Sequence, residues 1–159
     1  MCSAKSARTR LSADMREHLI EAASLVCETS FFAFAELAEP DMVVAMADES
    51  TWYHAEVLFD GPSKGRVQLS LPEGLARDLF AAFLGFADSS AANDAETEDV
   101  IGEFTNMVCG TWLTTLGCET CFTLAHPKVR LGGLPAPEDD NIVLSVNGRP
   151  AVLDRKSVV

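Results

Sequence analysis

Glu103 and Asn106 are the residues of this 159-residue chain whose types and spacing suit chemistry on a shared surface. They lie in a stretch from Glu96 to Leu116 whose apolar residues recur at helical spacing, which predicts a helix. A helix advances about 100° per residue, so residues three and four apart share a face. With Glu103 taken as zero, Asn106 falls at roughly −60° and Asp99 at roughly −40° on this scale. The three polar side chains therefore form one stripe.

Gly110 and Thr114 continue this polar stripe, at roughly −20° and +20° on the same scale. Glycine inside a helix costs about 1 kcal/mol relative to alanine. Gly110 leaves a position without a side chain, where another molecule can approach the helix closely. The opposite side of the helix carries an apolar stripe that suits burial, formed by Ile101, Phe104, Val108, Trp112 and Leu116. The polar stripe must then face solvent or a partner.

The longer string around the pair, DVIGEFTNMVCG from Asp99 to Gly110, resembles the signature of the CheC/CheX/FliY family of chemotaxis phosphatases. In that family a Glu and an Asn of one helix dephosphorylate the response regulator CheY. The resemblance covers roughly residues 12–159 and is strongest from Gly65 to Leu116. It implies that this chain is an aspartyl-phosphate phosphatase acting on a CheY-like receiver domain in chemotaxis or two-component signalling.

The resemblance also implies a role for each residue of the pair. Asn106 orients the attacking water, and Glu103 bridges to the active-site Lys of the receiver. We expect docking contacts from Asp99, Gly110 and Thr114 on the same stripe. The chain is expected to bind no cofactor and no metal of its own, because the Mg²⁺ belongs to the receiver. A homodimer is compatible with the resemblance.

The chemistry of the two side chains is consistent with these roles. The sequence shows no Ser/His or Cys/His pair and no glycine-rich phosphate loop, and Cys109 is predicted on the core side of the helix. An amide can both accept from and donate to one water, as a Gln does in GTPases. The neutral amide does not repel phosphoryl oxygens. The negative charge of Glu103 instead suits an ion pair with a Lys or Arg of the receiver. Three alternatives stay open. They are a non-catalytic module that docks on a receiver or switch-complex protein, a solvated face of an ordinary amphipathic helix, and a structural homodimer whose interface is this stripe.

Composition excludes several function classes. The net charge of −12 argues against nucleic acid and anionic membranes as partners. No apolar run is long enough to span a bilayer, and the first ten residues lack a signal-peptide core, so we expect a cytoplasmic protein. The five cysteines are expected to be reduced. Cys118 and Cys121 have metal-ligand spacing, but no second pair completes a site.

Element patterns predict an α+β fold, with long helices packed on one face of a largely antiparallel β-sheet. Residues 1–11 are expected to be a disordered tail, and residues 12–159 a single CheX-like domain. The first helix is predicted from Ser12 to about Phe34 or Leu37. Its nearest match to the Glu-x-x-Asn motif is Glu21 with Ser24, which lacks the amide, so we expect one site, as in CheX, rather than two.

The remaining elements follow from alternation and turn signals. Residues 41–48 are read as a short strand or an extended connection. His54 is expected to be a surface residue without a partner. Strands and helices are predicted as follows: a hairpin of Trp52–Phe59 and Gly65–Leu71, a helix from Pro72 to Gly85, and later strands at Cys121–Leu124, Ile142–Val146 and Ala151–Leu153, with a loop at Gly132–Pro137.

Overall fold

The computed structural model of the protein describes residues 3–45, 51–116, 122–138 and 140–157. Its elements follow one another as α1 (Ser3–Ser30), β1 (Ala35–Leu37), α2 (Asp41–Ala45), β2 (Trp52–Asp60), β3 (Gly65–Pro72), α3 (Glu73–Leu84), a short 3₁₀ turn (Ser89–Ala91), α4 (Asp94–Thr115), β4 (Thr123–Leu124), β5 (Lys128–Gly132), β6 (Ile142–Val146) and β7 (Arg149–Ser157). The predicted hairpin, the helix after Pro72 and the long helix that carries Glu103 are all confirmed.

The seven strands of the described residues belong to one antiparallel sheet, in the order β1-β6-β7-β3-β2. The free edge of β2 is covered by two short strands in succession. β4 pairs with the end of β2 at Phe59 and Asp60, and β5 pairs along Trp52 to Glu56. The α+β prediction with a largely antiparallel sheet is therefore confirmed.

The main core lies between one face of this sheet and helices α1, α3 and α4. Alternate residues of β2 and β3, such as Val57 and Val67, are fully buried against the helices, as expected for strands with one apolar face. Phe31 joins the helices, because its ring lies 4.6 Å from Phe104 and 5.0 Å from Phe83 between centroids. Within the described residues, no helix combines the length and apolarity needed to cross a membrane.

The other face of the sheet carries a small second core around Trp52. Trp52 packs with Val143 and Val152, and Met42 and Val43 of α2 cover them. The prediction of a strand or extended connection for residues 41–48 was wrong at 41–45, which form a helix, and residues 46–48 lie outside the described part. Met42 and Val43 lie about 100° apart on the helix, and both are partly buried against this second core.

The limits of the first helix also differ from the prediction. α1 begins at Ser3 rather than Ser12. It ends at Ser30, because Phe32 adopts a left-handed backbone with φ of 50°. The N–H groups of Phe31 and Ala33 both donate to the carbonyl of Cys27, which closes the helix. The chain then enters β1, within the region predicted to be helical.

The sequence also underestimated the strands that follow α4. About three were expected, and the part of the chain that the structure describes contains four, because β5 was missed. The strand predicted at Cys121–Leu124 is observed at Thr123 and Leu124, while Cys121 lies outside the described residues. The segment from Lys128 to Gly132, partly assigned to a loop, instead extends the sheet edge beside β2.

Candidate functional site

Helix α4 is held at both ends, which fixes the position of its exposed face. At its start the Asn93 side chain accepts a hydrogen bond of 2.8 Å from the backbone N–H of Glu96, a normal helix N-cap. Arg77 of α3 binds Asp94 at 2.5 Å and so attaches this end to the neighbouring helix. Toward the other end, the indole N–H of Trp112 donates to the carbonyl of Met15 in α1 over 3.1 Å. These contacts join α4 to α3 near its start and to α1 near its end.

The two faces of α4 separate as the helical arithmetic predicts. Ile101, Val108 and Trp112 are fully buried, and Phe104 is nearly so. Glu103 is exposed and Asn106 is half-buried on the opposite side. The core position predicted for Cys109 is also confirmed, because the thiol is buried and burial raises its pKa to about 12. A thiol in that state is a poor nucleophile.

The structure brings Asp99, Glu103 and Asn106 together in one open depression of about 710 Å³. The α4 side of the depression also includes Glu98, and the opposite side is formed by the β4–β5 segment. Across the described part of the chain, neither Glu103 nor Asn106 has a side-chain hydrogen bond or ion pair with another residue. Both polar groups therefore remain available to a molecule that enters the depression.

Gly102 allows the β4–β5 segment to pack closely against α4. The glycine is buried, and a Cβ there would lie 3.2 Å from Cβ of Pro127 and 3.3 Å from Cγ2 of Val129. Such distances are shorter than ordinary carbon–carbon contacts. The absence of a side chain at residue 102 therefore lets Pro127 and Val129 pack closely on α4 as the wall of the depression.

The two remaining predicted site residues, Gly110 and Thr114, line a neighbouring depression of about 500 Å³. A Cβ on Gly110 would meet only Leu124 Cδ1, at an ordinary 3.8 Å. Thr114 is exposed, and its hydroxyl donates to the carbonyl of Thr111 over 2.7 Å. Leu124 borders both depressions, so the polar stripe of α4 crosses them as one continuous surface.

His126 is a member of the site that sequence reasoning missed. Its exposed imidazole lines the depression opposite the acidic residues of α4. It was noted only as part of the His126–Pro127 break in a strand pattern. No local signal identifies it, because its place depends on the pairing of β4 and β5 with β2.

Metal ligands do not gather at this site. No group of three or more His, Cys, Asp or Glu side chains able to hold a metal ion occurs within residues 3–45, 51–116, 122–138 and 140–157. Cys118 and Cys121 lie outside these ranges. On α1, Glu21 is exposed and Ser24 is half-buried, and this pair has no amide.

Comparison with known proteins agrees with the fold and the motif. The family model of the chemotaxis phosphatase CheX matches residues 53–141, more than half of the chain. No curated protein matches the chain in sequence.

Several solved structures share the fold at low sequence identity. Chemotaxis protein CheX from Vibrio vulnificus has a TM-score of 0.70 at 19% identity, over 91% of this chain and 98% of that one. A CheX from Desulfovibrio desulfuricans gives 0.66 at 17% identity, over 91% and 99%. The CheX–CheY–BeF₃–Mg²⁺ complex from Borrelia burgdorferi gives 0.59 at 14% identity, over 90% and 97%. The chain therefore belongs to the CheX family of chemotaxis phosphatases.

Proposed function

We propose that this protein hydrolyses the aspartyl phosphate of a CheY-like receiver domain, in chemotaxis or another two-component pathway of the cytoplasm. The observation that carries the proposal is the pair Glu103 and Asn106, adjacent on the outer face of a fixed helix and without side-chain partners in the described part of the chain. Family membership supports it, as does the Borrelia complex in which a CheX is bound to CheY.

Asn106 is the catalytic residue in this proposal. Its amide oxygen accepts a hydrogen bond from a water and holds that water in line with the phosphorus atom. The water oxygen then bonds to phosphorus, the bond to the aspartyl carboxylate breaks, and inorganic phosphate leaves. Correct orientation of the water is worth several kcal/mol of barrier, and a neutral amide provides it without repelling the phosphoryl oxygens. The Mg²⁺ on the receiver would neutralise the developing charge.

Glu103 and the surrounding acidic groups give the depression its docking character. Glu98, Asp99 and Glu103 contribute three carboxylates to one open surface, which favours a basic partner group such as the active-site Lys of a receiver. The neighbouring depression is more apolar, since Met107, Leu113, Phe122 and Leu124 line it beside Gly110 and Thr114. An acidic depression beside a more apolar one is better suited to bind a protein surface than a small substrate.

The test follows the loss of phosphate from a Mg²⁺-loaded, phosphorylated CheY-type receiver. We expect the wild-type protein to accelerate the loss and Asn106→Ala to abolish the acceleration while leaving receiver binding largely intact. Glu103→Lys should weaken binding instead, because it places a cation against the receiver's Lys. Glu96→Gln is the matched control, since Glu96 is exposed on the same helix but outside the depression. Full activity of Asn106→Ala would refute the assigned mechanism.

A non-catalytic docking module is the second candidate. Residues Glu21 and Ser24 of α1 favour this candidate. Ser24 occupies the position of the Asn in a Glu-x-x-Asn motif, so a helix of this chain can carry the Glu of the motif without its Asn. Receiver binding without acceleration of dephosphorylation would establish this alternative. Sedimentation velocity of the same preparation would also show whether the protein forms the homodimer that the family resemblance allows.

A further inference from the structure

The segment from Leu124 to Pro127 runs alongside α4 in the opposite direction. Leu124 Cδ1 lies 3.8 Å from the place that a Cβ on Gly110 would occupy, and Pro127 Cβ lies 3.2 Å from the corresponding place on Gly102. The helix rises about 12 Å between these two glycines. Three extended residues span about 10 Å, so the segment has the length needed to follow the helix from one contact to the other.

His126 lies within this segment, immediately before Pro127, and therefore at the level of Glu103 and Asn106 on α4. All four residues line the same depression. The imidazole is exposed and, among the described residues, forms no hydrogen bond or ion pair. Of the described residues that line the depression, only His126 and Asn106 carry side-chain N–H groups. A free donor therefore faces α4 from the opposite wall.

His54, on the other face of the sheet, shows how a structural histidine is held in this fold. Its Nε2 lies 2.8 Å from the carbonyl of Gly133, which can only accept, so Nε2 carries the proton. Nδ1 then accepts from the Ser70 hydroxyl, at 2.8 Å. The expectation that His54 has no partner was therefore wrong. His126 makes no such bonds among the described residues, so a role in holding the fold does not explain it.

The proposed reaction brings an anionic group into the depression beside His126. If Asn106 holds the attacking water, the phosphorus atom lies about 3–3.5 Å from that water, and its peripheral oxygens extend into the depression. The carboxylates of Glu98, Asp99 and Glu103 repel those oxygens. An imidazole N–H on the opposite wall can instead donate to one of them, and a doubly protonated ring also brings a positive charge.

We propose that His126 recognises the phosphoryl group of the docked receiver by donating a hydrogen bond to one of its peripheral oxygens. This inference rests on the proposed function and adds the group that distinguishes a phosphorylated receiver from an unphosphorylated one. A role as general base toward the water fits less well, because phosphoryl transfer depends mainly on positioning and charge stabilisation. The contact exists before and during the reaction, so it contributes chiefly to binding.

The test compares, by calorimetry, the affinities of the protein for a Mg²⁺-loaded receiver with and without BeF₃⁻, whose fluorines stand in for the phosphoryl oxygens. We expect the wild-type protein to prefer the BeF₃⁻ form and His126→Ala to reduce that preference about fivefold. His126→Lys should restore it, because a lysine also donates to an anion. Lys128→Gln is the matched control, since Lys128 is exposed on the same segment but outside the depression.

Kinetics and ¹⁹F NMR separate this contact from other roles of His126. His126→Ala should raise KM for the phosphorylated receiver about fivefold with kcat little changed, whereas removal of a general base would lower kcat. In the complex, His126→Ala should shift the ¹⁹F signals of the bound BeF₃⁻ more than Lys128→Gln does.

Three results would overturn the inference: a preference that His126→Ala leaves unchanged, a wild-type protein that binds both forms of the receiver equally, or a loss of kcat at unchanged KM. His126 is exposed, so its variants are expected to fold. Accelerated hydrolysis together with an unchanged preference would refute only the role of His126. A preference that depends on His126 but is accompanied by no hydrolysis would refute only the phosphatase activity.

Discussion

Replacing Gly110 with alanine should make the protein more stable. Gly110 lies inside α4 with an ordinary helical backbone, and an added Cβ would meet only Leu124 Cδ1, at 3.8 Å. The change therefore removes the helix penalty of glycine, about 1 kcal/mol, without introducing a clash. For a chain of this size that gain corresponds to about 2–4 °C in the midpoint of thermal unfolding. Urea and thermal unfolding of the two proteins measure it directly.

Gly102→Ala is the matched control, because it makes the same change eight residues earlier on the same helix. There the added Cβ would press on Pro127 at 3.2 Å and Val129 at 3.3 Å. Overpacking of this kind costs about 1–3 kcal/mol, which cancels or exceeds the gain in helix propensity. We expect Gly102→Ala to be less stable than Gly110→Ala. Equal stability of the two variants, or a loss of stability in Gly110→Ala, would refute the reasoning.

The same variant tests the docking role proposed for Gly110. If a receiver packs against the bare backbone there, the new methyl group holds the two surfaces apart. We expect a higher KM for the phosphorylated receiver with kcat little changed, because Asn106 lies in the adjacent depression and is not moved. An unchanged KM in a stabilised Gly110→Ala protein would remove Gly110 from the docking surface while leaving Asn106 in place.

Two further predictions concern the supports of the fold. The pKa of Asp154 is raised above its usual 3.8, so the folded protein holds this proton more tightly than the unfolded chain, and ionisation costs stability as the pH rises. Because burial disfavours the charged carboxylate, Asp154→Asn should raise the free energy of unfolding at neutral pH but not well below pH 3.8, and an equal gain at both pH values would contradict this. Arg77→Gln should lower the free energy of unfolding by about 1 kcal/mol and speed hydrogen exchange in the first turn of α4. The reason is that Arg77 binds Glu73, Asp94 and the carbonyl of Ala92. Unchanged exchange there would show that Arg77 does not hold this end of the helix.

Much of the fold and of the acidic side of the site could be predicted because it depends on local patterns. The spacing of Ile101, Val108 and Trp112 decides which face of α4 is buried, and it thereby places Glu103 and Asn106 outside. The hairpin of β2 and β3 follows from alternation over adjacent segments. The roles of Glu103 and Asn106, and the assignment of residues 12–159 to a single domain, stay predictions.

What the sequence did not reveal depends on contacts between distant segments. α1 ends at the left-handed backbone of Phe32, where no glycine marks the position. α2 is a helix because Met42 and Val43 can be buried against Trp52, a partner that no local pattern identifies. β5 follows a proline and spans only Lys128 to Gly132. Its alternation of polar and apolar residues is too short to distinguish it from a loop, and only its pairing with β2 identifies it as a strand.

This missed strand shapes both the depression beside α4 and a cavity of about 320 Å³ on the other face of the sheet. Consecutive residues of a strand point to opposite faces of the sheet, so Val129 lines the depression beside α4 while Arg130 lines the cavity on the other face. A register slip of one residue would exchange the two side chains, placing a cation against Gly102 and removing it from His54. The pairing of β5 with β2 is therefore what gives the α4 depression an apolar wall. The same pairing places Arg130 in the lining of the cavity on the other face, so the depression and the cavity depend on one edge strand although they lie on different faces of the sheet.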